Sequence, residues 1–231
     1  MAEPKDRLPT AEEAALIVAL TAKANAEARK AANEADDAAN AAVISRLARE
    51  QQERDVADLL AGDDCNRVYR FVGEVSDASV QLATSRLTAW HRLYPKEPIE
   101  IVFTSEGGSV AAGMTLFDVI LGLRREGHRV TTSALGLAAS VAAVLIQAGD
   151  VRTMGRESYL MLHEASFRAS GKTSEMKDTL DWIEIWQERV LAMIASRSKM
   201  TLAEARGSFT RRTWYLDSDQ ALACGLVDEV R

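Results

Sequence analysis

The fold class is indicated most clearly by the middle of the chain, where residues 99–146 read IEIVFTSEGGSVAAGMTLFDVILGLRREGHRVTTSALGLAASVAAVLI. The β-branched and aromatic run Ile99–Thr104 predicts a buried strand, and a Ser-Glu-Gly-Gly turn follows it. A helix is expected from about Ala111 to Glu126, and a second strand around Arg129–Ser133. Short strands that alternate with helices are typical of an α/β domain with crossover connections.

The same alternation continues on both sides of this stretch. A second glycine turn at Gly136 leads into a helix over Ser140–Ala148, and Thr201 and Glu204 form a capping box that begins a short helix. The other predicted elements are strands over Val68–Val75 and Tyr159–His163, and helices over Asp77–Tyr94, Thr173–Ser198 and Ser218–Cys224. A chain of this length can bury a sizeable core between these elements.

Residues 1–61 differ in composition from the rest of the chain. All 13 glycines lie at or after Gly62, and the segment contains 19 alanines but no aromatic residue, since the first is Tyr69. Such a segment forms helix readily but supplies little core. Thr10 resembles an N-cap, and Gly62 a helix stop. We therefore expect an Ala-rich helical extension over residues 1–61 and a separate domain over 62–231.

A row of small side chains runs along the predicted extension. Six of its alanines are spaced alternately four and three residues apart, which is heptad spacing. They are Ala24, Ala28, Ala31, Ala35, Ala38 and Ala42. In a coiled coil, such a face would pack closely against another helix. A solvated helix would carry the same alanines because alanine is abundant there, and six small residues bury little area. The pattern leaves both interpretations open.

Composition argues against several kinds of partner. The chain has 28 basic and 34 acidic side chains and a formal charge of −6, which is unsuited to nucleic-acid binding. Its longest apolar run, Ala134–Ile146, is shorter than the roughly 20 residues that a membrane span needs. The N-terminal residues have no apolar signal region, and Cys65 and Cys224 are too few for a disulfide framework. A cytoplasmic location is therefore expected.

The histidines give no indication of a metal site. His91, His128 and His163, with two distant cysteines, lack the spacing of zinc ligands, and no nucleotide-binding P-loop motif is present, so no metal or cofactor is expected. His91 and His128 are interpreted as solvated residues. His163 ends the largely apolar run Tyr159–Leu162, so its imidazole either faces a cleft or is a satisfied core group.

Two turns rich in small residues have the components of acyl-transfer chemistry. Ser140 begins an apolar helix, where free backbone N–H groups favour developing negative charge, although a helix N-cap explains this serine equally well. Gly107 and Gly108 follow a buried strand and can present N–H groups to a phosphate or to an oxyanion. A plain tight turn is the alternative there.

Taken together, these features resemble the Clp protease proteolytic subunit family over about Tyr69–Val230. The resemblance rests on the order of a Gly-Gly turn, a Gly-x-Ala-Ala-Ser turn and a strand that ends in Met161-Leu162-His163. Further matching segments are Phe71-Val72-Gly73-Glu74-Val75, Gly113-Met114, Phe117-Asp118 and Gly225-Leu226-Val227-Asp228. The resemblance implies a crotonase-like, ClpP-type α/β fold of stacked βαβ units with a projecting helical handle.

The resemblance also implies roles for individual residues. By position, Ser140 is similar to the family's nucleophile and His163 to its general base, and the backbone N–H groups of Gly108 and Val141 are similar to its oxyanion hole. It implies a polypeptide substrate, homo-oligomeric rings and an ATP-dependent unfoldase as partner. Paired handles join opposing heptameric rings in that family, and an apolar stripe fits such an interface: Trp182, Ile183, Ile185 and Trp186.

Two departures from the family pattern stand out. Counting back from Gly225-Leu226-Val227-Asp228 puts the family's triad aspartate at Thr213, so the expected carboxylate is missing. Asp217 and Asp219 are near in sequence, but a helix N-cap is the expected role there. A Ser-His dyad is therefore expected, or a carboxylate supplied from elsewhere. The extension also stands where the family has a short axial segment, which argues against ordinary docking of an unfoldase.

Three functions are compatible with these residues. The first is a serine-type endopeptidase that degrades unfolded polypeptides in an oligomeric chamber by a Ser-His nucleophilic mechanism. The second is a catalytically weak structural or regulatory ring subunit, which the missing aspartate favours. The third is a crotonase-fold acyl-CoA enzyme, which would use Gly-Gly backbone donors on a thioester but has no need of Ser140 and His163.

Overall fold

The computed structural model describes residues 10–164, 172–210 and 212–231. The chain separates into two compact units, one up to Ala61 and the other over Gly62–Arg231. Residues 1–9 of the predicted extension lie outside the described residues. Within the described ranges, no helix combines the length and the apolarity that crossing a bilayer requires.

The first unit is one helix, α1 (Ala11–Ala61). Thr10 caps it as predicted, because its Oγ1 accepts a hydrogen bond from the backbone N–H of Glu13 at 3.3 Å and its own N–H donates to the Glu13 carboxylate at 2.8 Å. The helix ends just before Gly62, also as predicted. Its described side chains are almost all exposed, including the six alanines in heptad spacing. The coiled-coil interpretation of that face stays a prediction.

In the described residues of the second unit, seven strands form one sheet. The elements in chain order are β1 (Val68–Val72), α2 (Asp77–Leu93), β2 (Ile99–Ser105), α3 (Val110–Arg125), β3 (Val130–Ala139), α4 (Val141–Ile146), β4 (Val151–Met154), β5 (Tyr159–Leu162), α5 (Thr173–Ser196), α6 (Leu202–Phe209), β6 (Trp214–Leu216), α7 (Ser218–Cys224) and β7 (Glu229–Val230). The strand order is β1-β2-β3-β4-β7, and β5 pairs with both β3 and β6. Only β5 and β6 pair antiparallel among these strands. The predicted α/β class is confirmed.

The helices bury the apolar faces that their spacing predicts. α2 begins at a Ser76 capping box and buries one side at intervals of three and four residues, through Val80, Ala83, Leu87 and Trp90. All six residues of α4 are buried, so this helix lies inside the core rather than on its surface. The bulkiest fully buried side chains come from strands and helices alike and include Phe71, Phe103, Leu116, Ile120, Leu145 and Leu160.

The prediction of a turn at Gly136 is wrong, because β3 continues to Ala139. Its first half pairs with β4, and residues 137–139 pair with β5 instead. Gly136 lies where the partner changes and has φ +69°, a left-handed conformation that glycine adopts without strain. The glycine therefore bends a continuous strand. As a result, the end of β3 lies directly beside β5.

An ion pair joins β4 to the segment before β7. Arg152 is only 6% exposed, and its guanidinium donates to both carboxylate oxygens of Asp228, to the side-chain oxygen of Gln147 and to the carbonyl of Arg197. These hydrogen bonds hold the pKa of Asp228 below its ordinary value. A buried arginine needs such partners, because an unpaired charge is costly away from water.

We expect Asp228→Asn to destabilise the fold by about 1.5 kcal/mol, the lower end for a charged hydrogen bond, because Asp228 is 40% exposed. The pKa of Asp228 is lowered in the folded state, so its stabilising effect is complete above the ordinary value of 3.8 and is lost as the pH falls through the lower folded-state pKa. Urea unfolding of both proteins between pH 7 and pH 2.5 measures this difference. Asp219→Asn, in an ion pair whose aspartate is 78% exposed, is the matched control and should change little. A pH-independent difference would contradict this role for Asp228.

Candidate active site

Ser140 lies in a strained turn between β3 and α4. Its backbone has φ 56° and ψ −124°, which is uncommon for any residue other than glycine. Its N–H donates to the carbonyl of Met161 in β5 at 2.7 Å, which fixes the turn. Ser140 occupies the predicted N-cap position of α4, but its side chain makes no capping hydrogen bond there. A serine on a sharp strand-to-helix turn has the backbone setting of a nucleophile elbow.

Glycines allow the neighbouring backbone to approach this turn closely. A Cβ atom on Gly107 would lie 2.7 Å from the carbonyl oxygen of Ala139 and 2.7 Å from the Cβ of Ser140. A Cβ on Gly113 in α3 would lie 2.1 Å from a methyl of Val141. Side chains at either position would displace the turn. The Gly107-Gly108 loop therefore packs directly against Ser140.

The same loop leaves a backbone donor unused. Val75 binds the residues on each side of Gly108, because its N–H donates to the carbonyl of Gly107 at 2.8 Å and its carbonyl accepts from the N–H of Ser109 at 2.7 Å. Within the described part of the chain, the N–H groups of Gly108 and of Val141, the first residue of α4, donate to no acceptor. Both N–H groups are thus available to a ligand, which a plain tight turn does not require.

His163 and Ser140 line the same small cavity, of about 50 Å³. The pairing of Ala139 with Met161 brings the ends of β3 and β5 together, and each strand delivers one of the two residues. His163 is half-buried, and no hydrogen bond joins its ring to the Ser140 hydroxyl in the described residues. Catalytic hydrogen bonds are commonly long without substrate and shorten when it binds.

A larger groove of about 570 Å³ is lined by Gly107 and Gly108, which do not line the small cavity in the described residues. Two exposed carboxylates, those of Glu74 and Glu106, border it together with Leu137. Neither Ser140 nor His163 lines this groove in the described residues. The small cavity, which both Ser140 and His163 line, is therefore the candidate site.

Strand pairing identifies the residue opposite His163. β5 and β6 run antiparallel, with Leu162 opposite Trp214. Continuing this register by one residue sets Thr213 opposite His163, and side chains of directly opposed residues lie on the same face about 4.5–5.5 Å apart at Cβ. The position reached by counting back from the C-terminal motif is thus the one that the extended register sets opposite His163.

Asp217 has a different position and a different role. It caps α7, because its carboxylate accepts a hydrogen bond from the backbone N–H of Gln220 at 2.8 Å, as predicted. It follows Leu216, which pairs with Leu160, so it lies at the other end of β6 from His163. Four residues of extended strand correspond to about 13 Å. Asp219 is in an exposed ion pair with Arg156 at 3.3 Å.

Trp186 lies on the predicted apolar stripe of α5 and also lines the cavity of Ser140 and His163, where it is half-buried. The role of the stripe as an intersubunit surface stays a prediction. Trp182 and Ile185 on the same helix are 51% and 69% exposed. A stripe at helical spacing cannot show which of its members face a cavity in their own subunit.

The other two histidines form a structural pair. His128 is 2% exposed, so its interpretation as a solvated residue is wrong. Its Nδ1 lies 2.7 Å from the carbonyl oxygen of Glu97 and its Nε2 lies 3.0 Å from the Nδ1 of His91. Since a carbonyl only accepts, Nδ1 of His128 donates the hydrogen bond to Glu97. Among the described residues, no cluster of histidine, cysteine or carboxylate side chains could hold a metal ion.

A serine on a strained turn, an imidazole on the same cavity and unused N–H groups nearby are the components of acyl transfer through a serine nucleophile. This is the arrangement of a serine-type peptidase. Residues 49–231 match the family model described as Clp protease, which covers most of the chain, and the chain belongs to that family. The fold is ClpP-type, as the resemblance predicted. Most of α1 precedes the matched region.

Proposed function

We propose that this protein is a serine-type endopeptidase that degrades unfolded polypeptides inside an oligomeric chamber, with Ser140 as nucleophile and His163 as general base. The peptidase domain comprises residues 62–231 and needs no cofactor. The observation that carries the proposal is the cavity shared by Ser140 and His163, beside a turn whose strained backbone presents a hydroxyl that is not used in capping.

The reaction follows from the placement of these groups. His163 takes the proton of the Ser140 hydroxyl as its oxygen attacks the substrate carbonyl, and the N–H groups of Gly108 and Val141 stabilise the oxyanion that forms. The imidazolium then protonates the leaving amine as the peptide C–N bond breaks. Water, activated by the same imidazole, hydrolyses the acyl-enzyme and restores the serine.

The third member of the triad is the part that this chain lacks. A carboxylate beside the imidazole would orient it and stabilise its protonated form, whereas Thr213 offers a neutral oxygen. We therefore propose a Ser-His dyad with slower turnover than a complete triad. Membership in the Clp protease family does not favour the acyl-CoA enzyme or the inactive ring subunit.

Assembly into rings is supported by an exposed apolar surface on α5. Four large side chains on the part of the helix before Trp186 are 40–69% exposed, namely Met176, Leu180, Trp182 and Ile185. Such a surface is typical of a subunit interface. We propose that it pairs subunits in cytoplasmic homo-oligomeric rings, which receive polypeptides from an ATP-dependent unfoldase, and that the extension over residues 1–61 alters how that partner docks.

A comparison of unfolded and folded substrates tests this function. We expect the purified oligomer to cleave a fluorescein-labelled unstructured polypeptide at least about 10-fold faster than a compact protein of similar length, because only an extended chain enters an enclosed chamber. Ser140→Ala in the same assay shows which cleavage belongs to this site. Equal rates on both substrates, or cleavage that survives Ser140→Ala, would contradict the proposal.

A further inference from the structure

The cavity beside Ser140 suits an apolar side chain rather than a peptide backbone. Most of its walls are aliphatic or aromatic, from Val110, Val141, Val144, Leu162, Trp186 and Val190. Among its described lining residues, the polar groups are Ser140, His163 and Gln187, and none carries a fixed charge. A charged substrate side chain would find no counter-ion among these described lining residues. The cavity therefore selects for uncharged side chains.

Trp186 supplies the wall that comes from α5. Two residues one and two turns further along the helix, Leu191 and Ile194, are fully buried in the core. They anchor this end of the helix, so the indole is held over the cavity rather than carried on a free segment. Trp182, one turn earlier, is 51% exposed and does not line the cavity.

The volume left beside Trp186 is small. An apolar cavity of about 150 Å³ holds one benzene molecule. The cavity here measures about 50 Å³, which admits a methyl or hydroxymethyl group but not a leucine or phenylalanine side chain. Removal of the indole would enlarge it by more than its present volume, because tryptophan is the largest side chain that lines it.

We propose that Trp186 closes the pocket for the substrate residue whose carbonyl is attacked, and thereby restricts that residue to small uncharged types such as glycine, alanine and serine. The inference rests on the proposed function, since it names the substrate class of the same site. It makes Trp186 a specificity-determining residue that contacts substrate, while Ser140 and His163 carry out the chemistry.

The test is a set of fluorogenic peptides that differ only in having alanine, leucine or phenylalanine at the cleaved position. In the wild-type protein we expect kcat/KM to favour alanine over leucine by at least about 10-fold, since one methylene that a pocket cannot accommodate changes this ratio by roughly 10–200-fold. Trp186→Ala should shift the leucine-to-alanine ratio by at least about 10-fold towards leucine. Trp182→Ala, the same change one turn away, should leave the wild-type ratio unchanged.

The outcomes separate this inference from the proposed function. A wild-type preference for leucine or phenylalanine, or an unchanged ratio in an active Trp186→Ala variant, overturns the role of Trp186 and leaves the peptidase assignment standing. If no peptide is cleaved by wild-type protein, the proposed function itself fails. Trp186→Leu is a smaller change with the same expected direction, and it serves if Trp186→Ala does not fold.

Discussion

Replacing Ser140 by alanine should lower peptide hydrolysis at least about 100-fold while leaving the fold and the assembly intact. The change removes the nucleophile but only one oxygen atom, and in the described residues that hydroxyl has no hydrogen-bond partner to lose. The strained backbone conformation at residue 140, with φ 56°, costs about the same free energy for alanine as for serine. Steady-state hydrolysis of a short fluorogenic peptide measures the loss, and sedimentation and thermal unfolding measure the fold.

The expected size of this loss follows from the proposed Ser-His dyad. In a serine protease with a complete triad, loss of the serine lowers kcat by about 2 × 10⁶, whereas loss of the aspartate alone lowers it by about 3 × 10⁴. A dyad without the aspartate would therefore retain roughly 10² of rate acceleration, which loss of the serine would remove. His163→Ala should cost about as much as Ser140→Ala, since the two residues act as a unit. Full activity in either variant would contradict the assignment.

Introducing a carboxylate opposite the imidazole should increase activity. We expect Thr213→Asp to raise turnover by roughly 10-fold or more, about 1.4 kcal/mol of barrier, because the register of β5 and β6 sets residue 213 opposite His163. The new charge would hold the imidazole in the tautomer whose nitrogen towards Ser140 is free to accept the hydroxyl proton. It would also stabilise the protonated imidazole. Loss of that charge in a complete triad costs about 10⁴-fold, which is an upper bound on the gain.

Two control variants isolate the effect of the charge. Thr213→Asn has nearly the same shape as Thr213→Asp but no charge, so it should give no gain. Asp217→Asn weakens the cap of α7, and we expect a small loss of stability with turnover retained, since Asp217 lies at the far end of β6. No gain in Thr213→Asp together with a large loss of turnover in Asp217→Asn would show that Asp217 already serves His163.

Local sequence patterns predicted most helices well, because capping residues and apolar spacing act over short distances. Strands whose pairing depends on distant residues were harder to predict. β4 was missed, since its Arg152 looks like a surface residue until Asp228, 76 positions later, supplies the charge that permits burial. The predicted strand around Arg129–Ser133 is shorter than β3, because pairing with β5 is what keeps the glycine-containing segment after it extended.

The site was predictable to a different extent for each residue. The order of short motifs predicts Ser140 and His163 as the catalytic pair, and strand pairing brings both to one cavity, while their roles stay a prediction. The position of Trp186 on the same cavity was not predicted, because helical spacing gives the face of a helix but not the neighbour that covers it. The burial of His128 depends on contacts with His91 and Glu97 that no local pattern reveals.

The most direct test of the central claim is labelling by a fluorophosphonate, which reacts with a serine only when its hydroxyl is activated. The Ser140 oxygen would bond to phosphorus as fluoride leaves, and His163 would accept the hydroxyl proton. We predict one labelled site at Ser140 by peptide mass spectrometry, labelling that is lost in Ser140→Ala and strongly slowed in His163→Ala, and faster labelling in Thr213→Asp. A folded wild-type protein that remains unlabelled, or that is labelled at another serine, would contradict the account.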